Sequence, residues 1–514
     1  MKAIKTNTSK RKLRRTSAMA AASFMIISLV LSGCNTSAAV QSSVETVSRT
    51  EETATNAGQN TEGGTSDTTG STDAAETVSA SAAIPSADDI DITETIENST
   101  DEEHAITADG EEVSYSNIAV VKTGDAEGDE ADFYGANAAV FATNGASLTL
   151  SEITVNTDGT HANGVFSYGE GTTVNIADSV IETTGNCSGG LMTTGGGTMN
   201  ASNLTIHTTG NSSAAIRSDR GGGTVNVTGG SYTTDGTGSP VIYSTADITV
   251  SEAQMESTAS QGVVVEGKNS VTLNDVDLTA SNTTKNSNKS EWYQAVMIYQ
   301  SMSGDAAEGL ASFAMTGGSL TNLNGDIFFV NNTTAAISLN GVSIINTDEN
   351  GVFLRAAAAG WGREGSNGGH VTMTADSQTI DGDMIVDEIS SLNLYLKDNS
   401  SFAGAINLDG AGGDVYVEIE DGSIWSLTGD SYITSLTCGT GSISLNGYKL
   451  YVNGEEYAEG SASEGEAIEV EAASDSSHSG PKGDGGTPPQ KPGGKGDSSD
   501  SDHQPPEKPD EKNG

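Results

Sequence analysis

The residues best suited to chemistry in this sequence lie in one short segment that combines both charge signs. Arg217, Asp219 and Arg220 occur within four residues and are followed directly by three glycines. If the chain coils as argued below, residues from neighbouring coils approach the same face and give a polar patch edged by aromatic rings: Tyr168, Glu170, Tyr243, Glu266 and Lys268. The alternative is that these positions are solvated and that Arg217 and Asp219 form a surface ion pair, which contributes little.

A second set of acidic residues suggests calcium. Asp125, Glu127 and Asp129 alternate with small residues, and carboxylate oxygens are the ligands that Ca²⁺ prefers. The segment departs from the EF-hand loop at Glu130, where glycine is needed, and at Ala136, where a bidentate glutamate belongs. It is a candidate for a loose Ca²⁺ site, with a solvated acidic loop as the alternative. Ca²⁺ is the one cofactor that the sequence suggests.

Aromatic residues close to cations form a third set of candidates. Exposed Trp and Tyr beside Lys or Arg suit stacking on carbohydrate or contact with an anionic partner. The alternative is that each tryptophan folds back and covers the body of the protein. The predicted binding residues are Trp292, Tyr293, Lys285, Lys289, Trp361, Arg363 and Tyr243.

Histidine and cysteine spacing predicts no catalytic or metal centre. His161, His207 and His370 share no ligand spacing, and we recognise no Ser/His/Asp or Cys/His arrangement. Cys187 and Cys438 are more than 200 residues apart, so many coils would separate them. We expect both to be small buried residues without a disulfide between them.

These candidates depend on a repeat that runs through the middle of the chain. Glycines in turn-favouring pairs recur at 159, 185, 210 and 236, with spacings of 26, 25 and 26. Apolar residues keep the same register in three columns, and residues two apart in a strand lie on one face. The columns are Leu148, Val174, Met199, Val225, Ile248 and Val271; Leu150, Ile176, Ala201, Val227, Val250 and Leu273; Val155, Ile181, Ile206, Tyr232, Met255 and Leu278. In later coils, Phe313, Met315 and Leu320 are followed 24 residues on by Ile337, Leu339 and Ile344. A looser alignment with a spacing of 23 residues joins Val371, Leu394 and Val417.

A period of about two dozen residues with short strands predicts a solenoid. One coil cannot bury its own apolar face, whereas stacked coils pair every strand with its neighbours and join the inward side chains into ladders. We therefore predict an all-β parallel β-helix of about 11–12 coils over residues 110–458. Insertions at 282–294 and 355–370 break the period and must project as loops.

The coil pattern resembles right-handed parallel β-helix, or pectin-lyase-like, surface proteins and adhesins of bacteria, over about two thirds of the chain. In enzymes of that kind, acidic clusters hold calcium beside a uronate and an Arg or Lys acts as the base. The resemblance implies that role for Arg217, Asp219 and Arg220, although no paired carboxylates recur in adjacent coils.

The ends of the chain indicate export. Residues 1–33 have a basic start and a short apolar run, which is typical of a signal peptide. Residues 31–34 resemble the lipobox of bacterial lipoproteins, which implies that Cys34 is lipidated and anchors the chain to the membrane. Residues 34–109 and 459–514 are polar and predicted to be a disordered stalk and tail.

Charge and composition limit the function classes. With 23 Lys+Arg, 70 Asp+Glu and a formal charge of −47, the chain would repel a phosphate backbone, so we expect no nucleic-acid partner. We expect a monomeric, lipid-anchored protein of the bacterial cell surface that binds a polysaccharide or another surface polymer without catalysis. The alternatives are a polysaccharide lyase and a purely structural surface protein.

Overall fold

The computed structural model describes residues 83–285, 289–290, 292–410 and 412–470. The predicted signal peptide, Cys34, residues 35–82 and the tail from residue 471 lie outside the described residues, so those predictions stay predictions. The described part is an all-β parallel β-helix, as the repeat predicts.

Three walls of parallel strands form the solenoid. The first wall consists of Glu112–Ser116, Ser147–Ser151, Thr173–Thr183, Gly197–Thr208, Gly223–Thr228, Asp247–Ser251, Ser270–Asn274, Leu310–Thr316, Thr333–Asn340, Gly369–Asp376, Ser391–Lys397, Asp414–Ile419 and Ser435–Cys438. The second wall consists of Glu94–Asn98, Ile118–Lys122, Thr154–Thr157, Ser231–Thr234, Gln254–Ser257, Asp277–Ala280, Ser319–Asn322 and Ser343–Asn346. The strands Thr173–Thr183 and Gly197–Thr208 run through both walls and join them into one 21-stranded sheet.

The third wall is a separate sheet of 11 strands. It consists of Ile106–Asp109, Val140–Thr143, Val165–Tyr168, Leu191–Thr194, Ile216–Ser218, Ile242–Ser244, Val263–Glu266, Gln294–Tyr299, Asp326–Asn331, Leu354–Ala356 and Met384–Val386. Two small sheets follow towards the end of the solenoid. The first contains Thr379–Asp381, Ser401–Ala403, Ile424–Ser426 and Ile443–Ser444; the second contains Ser431–Ile433, Leu450–Val452 and Glu455–Glu456.

Helical structure is confined to two short elements in the described residues. A 3-10 turn covers Ala87–Asp89, and one α-helix covers Asp129–Tyr134. Neither has the length or apolar character that crossing a membrane would require, and no other described helix does.

The three predicted apolar columns point inward and form the core. Cα pairing places Leu148 against Val174 and Val174 against Met199, and the other two columns keep the same order. Every member of the three columns is buried. The later alignment is correct for Phe313 with Ile337. It is wrong at Val371, which pairs with Leu392 because that coil is two residues shorter than predicted.

The recurring glycines are required where successive coils approach most closely. A Cβ atom on Gly210 would overlap the carbonyl oxygen of Gly185, and one on Gly185 would overlap that of Gly159. Gly236 stands in the same relation to Gly210. The glycine period therefore reflects backbone contact between coils as well as turn formation.

The predicted range of the solenoid, residues 110–458, is too short at both ends. Strands begin at Glu94, inside the predicted stalk, because Glu94–Asn98 pairs in parallel with Ile118–Lys122 and so adds to the second wall. At the other end, Ser463 bridges to Cys438, and Ile468 hydrogen bonds to the side chain of Asn393. Polar composition concealed these segments because each pairs with a coil and needs little apolar surface of its own.

Gly210→Ala should destabilise the protein. The new methyl group has no space beneath the Gly185 carbonyl, so adjacent coils must separate locally, and we expect a loss of about 2–3 kcal/mol in the free energy of unfolding. Urea unfolding followed by circular dichroism measures it. Gly439→Ala is the matched control, because its Cβ would approach only side-chain oxygens, at 3.2 and 3.6 Å. Equal effects of the two substitutions would contradict close coil contact as the reason for the glycine column.

Candidate functional site

The predicted polar patch lies on the outer face of the third wall. Strand alternation turns Arg217 outward, and parallel pairing places Tyr243 beside it on the next coil. Glu266 and Tyr299 are paired two residues further along, on the following coils. The third wall therefore brings together residues that are up to 82 positions apart in the sequence, as the period predicts for Arg217, Tyr243 and Glu266.

Arg217 and Asp219 form an ion pair that is buried, contrary to the alternative of a solvated surface pair. The Arg217 Nη2 atom donates to Asp219 Oδ2 at 2.9 Å, and the side chains are 5% and 0% exposed. The backbone N–H of Arg220 donates to the other Asp219 oxygen at 3.0 Å. Both oxygens of the carboxylate are thus occupied by donors from the same short segment.

Glu266 is the second buried carboxylate of the site. It accepts hydrogen bonds from the hydroxyls of Tyr243, Tyr299 and Ser301, the Tyr299 contact being 2.9 Å. Burial raises the pKa of Glu266, and the three hydroxyl donors act in the opposite direction. Burial also raises the pKa of both tyrosines well above the usual value, so both stay protonated donors at neutral pH.

Arg220 connects two segments that cover this face. Its guanidinium pairs with Asp305 in the loop after the strand Gln294–Tyr299, at 2.6 Å, and with Asp129 at the start of the α-helix, at 2.9 Å. The guanidinium carbon also lies 3.6 Å from the centre of the Phe133 ring. Helix and loop are therefore both attached to the same side chain.

The remaining patch residues do not join the cluster. Glu170 and Lys268 are exposed in turns, and Tyr168 makes an edge contact with Tyr134 at a ring distance of 5.7 Å. The site is thus smaller and more enclosed than the sequence predicts.

Outside the strands at their ends, the described residues of the two insertions form loops, as predicted, but Trp292 and Trp361 fold over the third wall. Trp361 is 3% exposed and packs edge-on against Tyr299, with ring centres 5.2 Å apart. The prediction that Trp361 offers an exposed stacking surface is wrong. Its ring completes an apolar layer outside the third wall that also contains Tyr243, so Tyr243 is also enclosed.

Trp292 is half-buried in the same layer. Its ring lies 5.6 Å from that of Phe329, and its cationic neighbour is Arg355 at 4.5 Å. Arg355 is itself paired with Asp326 at 2.6 Å. Trp292 therefore covers the wall with one ring face next to a buried ion pair.

The other predicted binding residues remain near the surface. Lys285 lies 5.5 Å from the Tyr293 ring, and Lys289 lies 5.9 Å from the Trp361 ring. Arg363 lines a cavity of about 210 Å³ next to Gln300. Binding by these residues stays a prediction.

The predicted calcium ligands do not converge. Asp125 accepts the backbone N–H of Thr160 at 2.7 Å, whereas Asp129 pairs with Arg220. Among the described residues, the three do not belong to any group whose ligand atoms lie within 4.8 Å of one another. The sequence spacing was misleading because the chain enters the α-helix at Asp129 and turns that carboxylate towards the guanidinium.

A different cluster was missed by the sequence analysis. Asp132, His161 and Cys187 are all buried and place their ligand atoms within 4.8 Å of one another, with His161 Nδ1 at 2.8 Å from Asp132 Oδ1. Cys438 is free, which confirms that the two cysteines do not pair with each other. The sequence feature that could have revealed this cluster is the spacing of 26 residues between His161 and Cys187, which is one full coil.

Comparisons with known proteins add little to this geometry. No family model matches the chain. No curated protein matches it. Among solved structures, a chain of "The cryo-EM structure of the Vag8-C1 inhibitor complex" is similar, with 15% sequence identity over 70% of this chain and 98% of that chain and a TM-score of 0.37. The fold assignment rests on the strand pairing of this chain itself.

Arg217→Met should destabilise the protein strongly. Above pH 7, where Asp219 is ionised, the substitution leaves its carboxylate buried without its cation, and breaking a buried pair in this way costs about 3–5 kcal/mol. Urea unfolding of the two proteins gives the difference. Lys268→Met is the control, since Lys268 is exposed in a turn on the same side and should change stability by less than about 0.5 kcal/mol. A similar small effect for both would contradict the buried pair.

Stability should fall as the pH rises from about 4 to 7. Burial raises the pKa of Asp219 to about 7, against the opposing effect of Arg217, whereas an unfolded aspartate titrates near 4. The folded state thus keeps a proton that the unfolded chain releases, and this contribution is lost as the pH passes the folded pKa. Unfolding free energies measured across that range should decline.

Asp219→Asn distinguishes the contribution of Asp219 to this pH dependence from that of the other charged groups of the chain. The variant should show a shallower decline than the parent, whereas Glu256→Gln, at an exposed carboxylate, should keep the parental slope. An unchanged slope in Asp219→Asn would assign the pH dependence to other groups.

Proposed function

We propose that this chain is a non-catalytic binding protein of the bacterial cell surface, anchored through lipidated Cys34, with the β-helix as the part that contacts a polysaccharide or another surface polymer. The supporting observation is the enclosure of the groups suited to catalysis. Arg217, Asp219 and Glu266 are at most 5% exposed, and helix and loop lie over them. A polymer substrate needs an open cleft to reach its reacting groups.

The accessible surface instead favours repeated weak contacts. On the first wall, most successive coils present Ser, Thr or Asn side chains at the same outward positions, so hydrogen-bonding groups recur at the strand spacing of about 4.8 Å. A polymer with repeating units can engage many such groups at once, and linked weak contacts add to a high overall affinity.

The test is a binding and turnover assay on the exported chain with Cys34→Ser, which keeps the protein soluble. Immobilised mannan, β-1,4-glucan and polygalacturonate serve as probes. We expect retention on at least one polymer without release of unsaturated products. Calcium-dependent release of such products, lost in Arg217→Met and retained in Lys268→Met, would instead establish a lyase. Retention on no surface polymer would contradict the proposal and favour a structural role.

A further inference from the structure

The first wall carries a long surface that is almost free of charge. On eight successive strands, from Ser147–Ser151 to Thr333–Asn340, three outward positions per strand are occupied by Ser, Thr or Asn, with a few Ala. The one charged residue among these positions is Asp247. We call this surface the uncharged strip.

The strip has definite ends. The coil before it places Glu112 in the same column as Ser147, and the coil after it places Asp376 beside Asn340. Lys397 follows on the next coil. In a chain with 70 acidic residues, one charge over so many outward positions marks a distinct surface.

Three asparagine side chains of the strip are held in a fixed orientation by hydrogen bonds to one another. Asn200 donates its amide to Asn175 at 3.0 Å, and Asn226 donates to Asn200 at the same distance. Each amide keeps a second N–H and a second acceptor lone pair for an external partner. In the neighbouring outward column, Thr173 lies beside Thr198 on the next coil. This asparagine ladder is therefore a preorganised set of donors and acceptors, which reduces the entropy lost on binding.

The strip is also left uncovered by the described segments that leave the coils. The segment before the first strand contacts Asn203 and Thr205, which lie at the bend and on the second wall. The segment after the last coil contacts Asn393, beyond the charged end of the strip. The covering loops lie on the third wall.

The charges around the uncharged strip determine which class of ligand can bind to it. The second wall, directly beside the strip, turns Glu182, Glu256 and Asp277 outward. These carboxylates repel an anionic polymer, and the strip supplies no cation to compensate. A cationic partner would bind the carboxylates of the second wall in preference to the strip. Resting on the proposed function, we infer that the uncharged strip binds a neutral, hydroxyl-rich polysaccharide through repeated hydrogen bonds to its Thr and Asn columns.

The experiment compares two double variants with equal charge changes. Thr249→Glu with Thr272→Glu places two charges on adjacent coils of the strip. Thr279→Glu with Thr321→Glu does the same on the second wall, at equally half-buried positions. Circular dichroism and thermal unfolding establish that both variants fold. Affinities for mannan and for β-1,4-glucan are then measured against the parent.

We expect the strip variant to lose about tenfold or more in affinity and the control to change by less than about twofold. Because the ligand is neutral, binding by the parent should be nearly independent of salt concentration.

Other outcomes would overturn the inference in distinguishable ways. If the parent binds a polymer and both double variants keep that affinity, the proposed function stands and the strip is not its site; loss in Arg363→Ala would then assign binding to the covering loops. If only polygalacturonate binds, the neutral ligand is wrong. If the full chain fails to bind and a chain ending at Val470 binds, the strip is occupied by the C-terminal segment. If neither chain binds any polymer, the proposed function fails as well.

Discussion

The parallel hydrogen-bond ladder between successive coils is the constraint on which every other feature depends. It places each residue almost directly over its equivalent one coil earlier, at about 4.8 Å. A position that points inward in one coil points inward in all of them, which creates the continuous apolar core. The same rule operates on the backbone, where Gly185 and Gly210 tolerate a separation that no Cβ atom would allow. Where the ladder turns a column outward, the side chains of successive coils form a row on the surface, as in the uncharged strip.

This constraint explains why the solenoid could be predicted and the enclosure of the site could not. Periodicity reports which residues share a column, so Leu148, Val174 and Met199 were assigned correctly to the core. It also indicated that Arg217, Tyr243 and Glu266 share a face. It contains no information on the aperiodic segments. Asp305 reaches Arg220 across 85 positions, and that contact follows from the path of a loop alone.

The same limit explains the particular errors. Trp361 lies in an insertion, and an insertion can project or fold back with the same sequence signal. Its burial depends on Tyr299 presenting a ring at the right place on the third wall. Asp129 had calcium-like spacing in the sequence, yet a short helix redirected it to Arg220. By contrast, His161 and Cys187 obey the coil period, so their proximity was accessible to the same reasoning that found the core.

The way in which the chain enters the solenoid determines how tension would pass through the protein. The carbonyls of Ala83 and Pro85 accept hydrogen bonds from Asn203 and Thr205, four coils from the strand Glu94–Asn98 where coiling begins. A pull applied at Ala83 is therefore transmitted first to these two side chains. The intervening segment must peel from the second wall before load reaches the first strand. The slack released in that step lets residues 83–93 extend under tension while the coils stay intact.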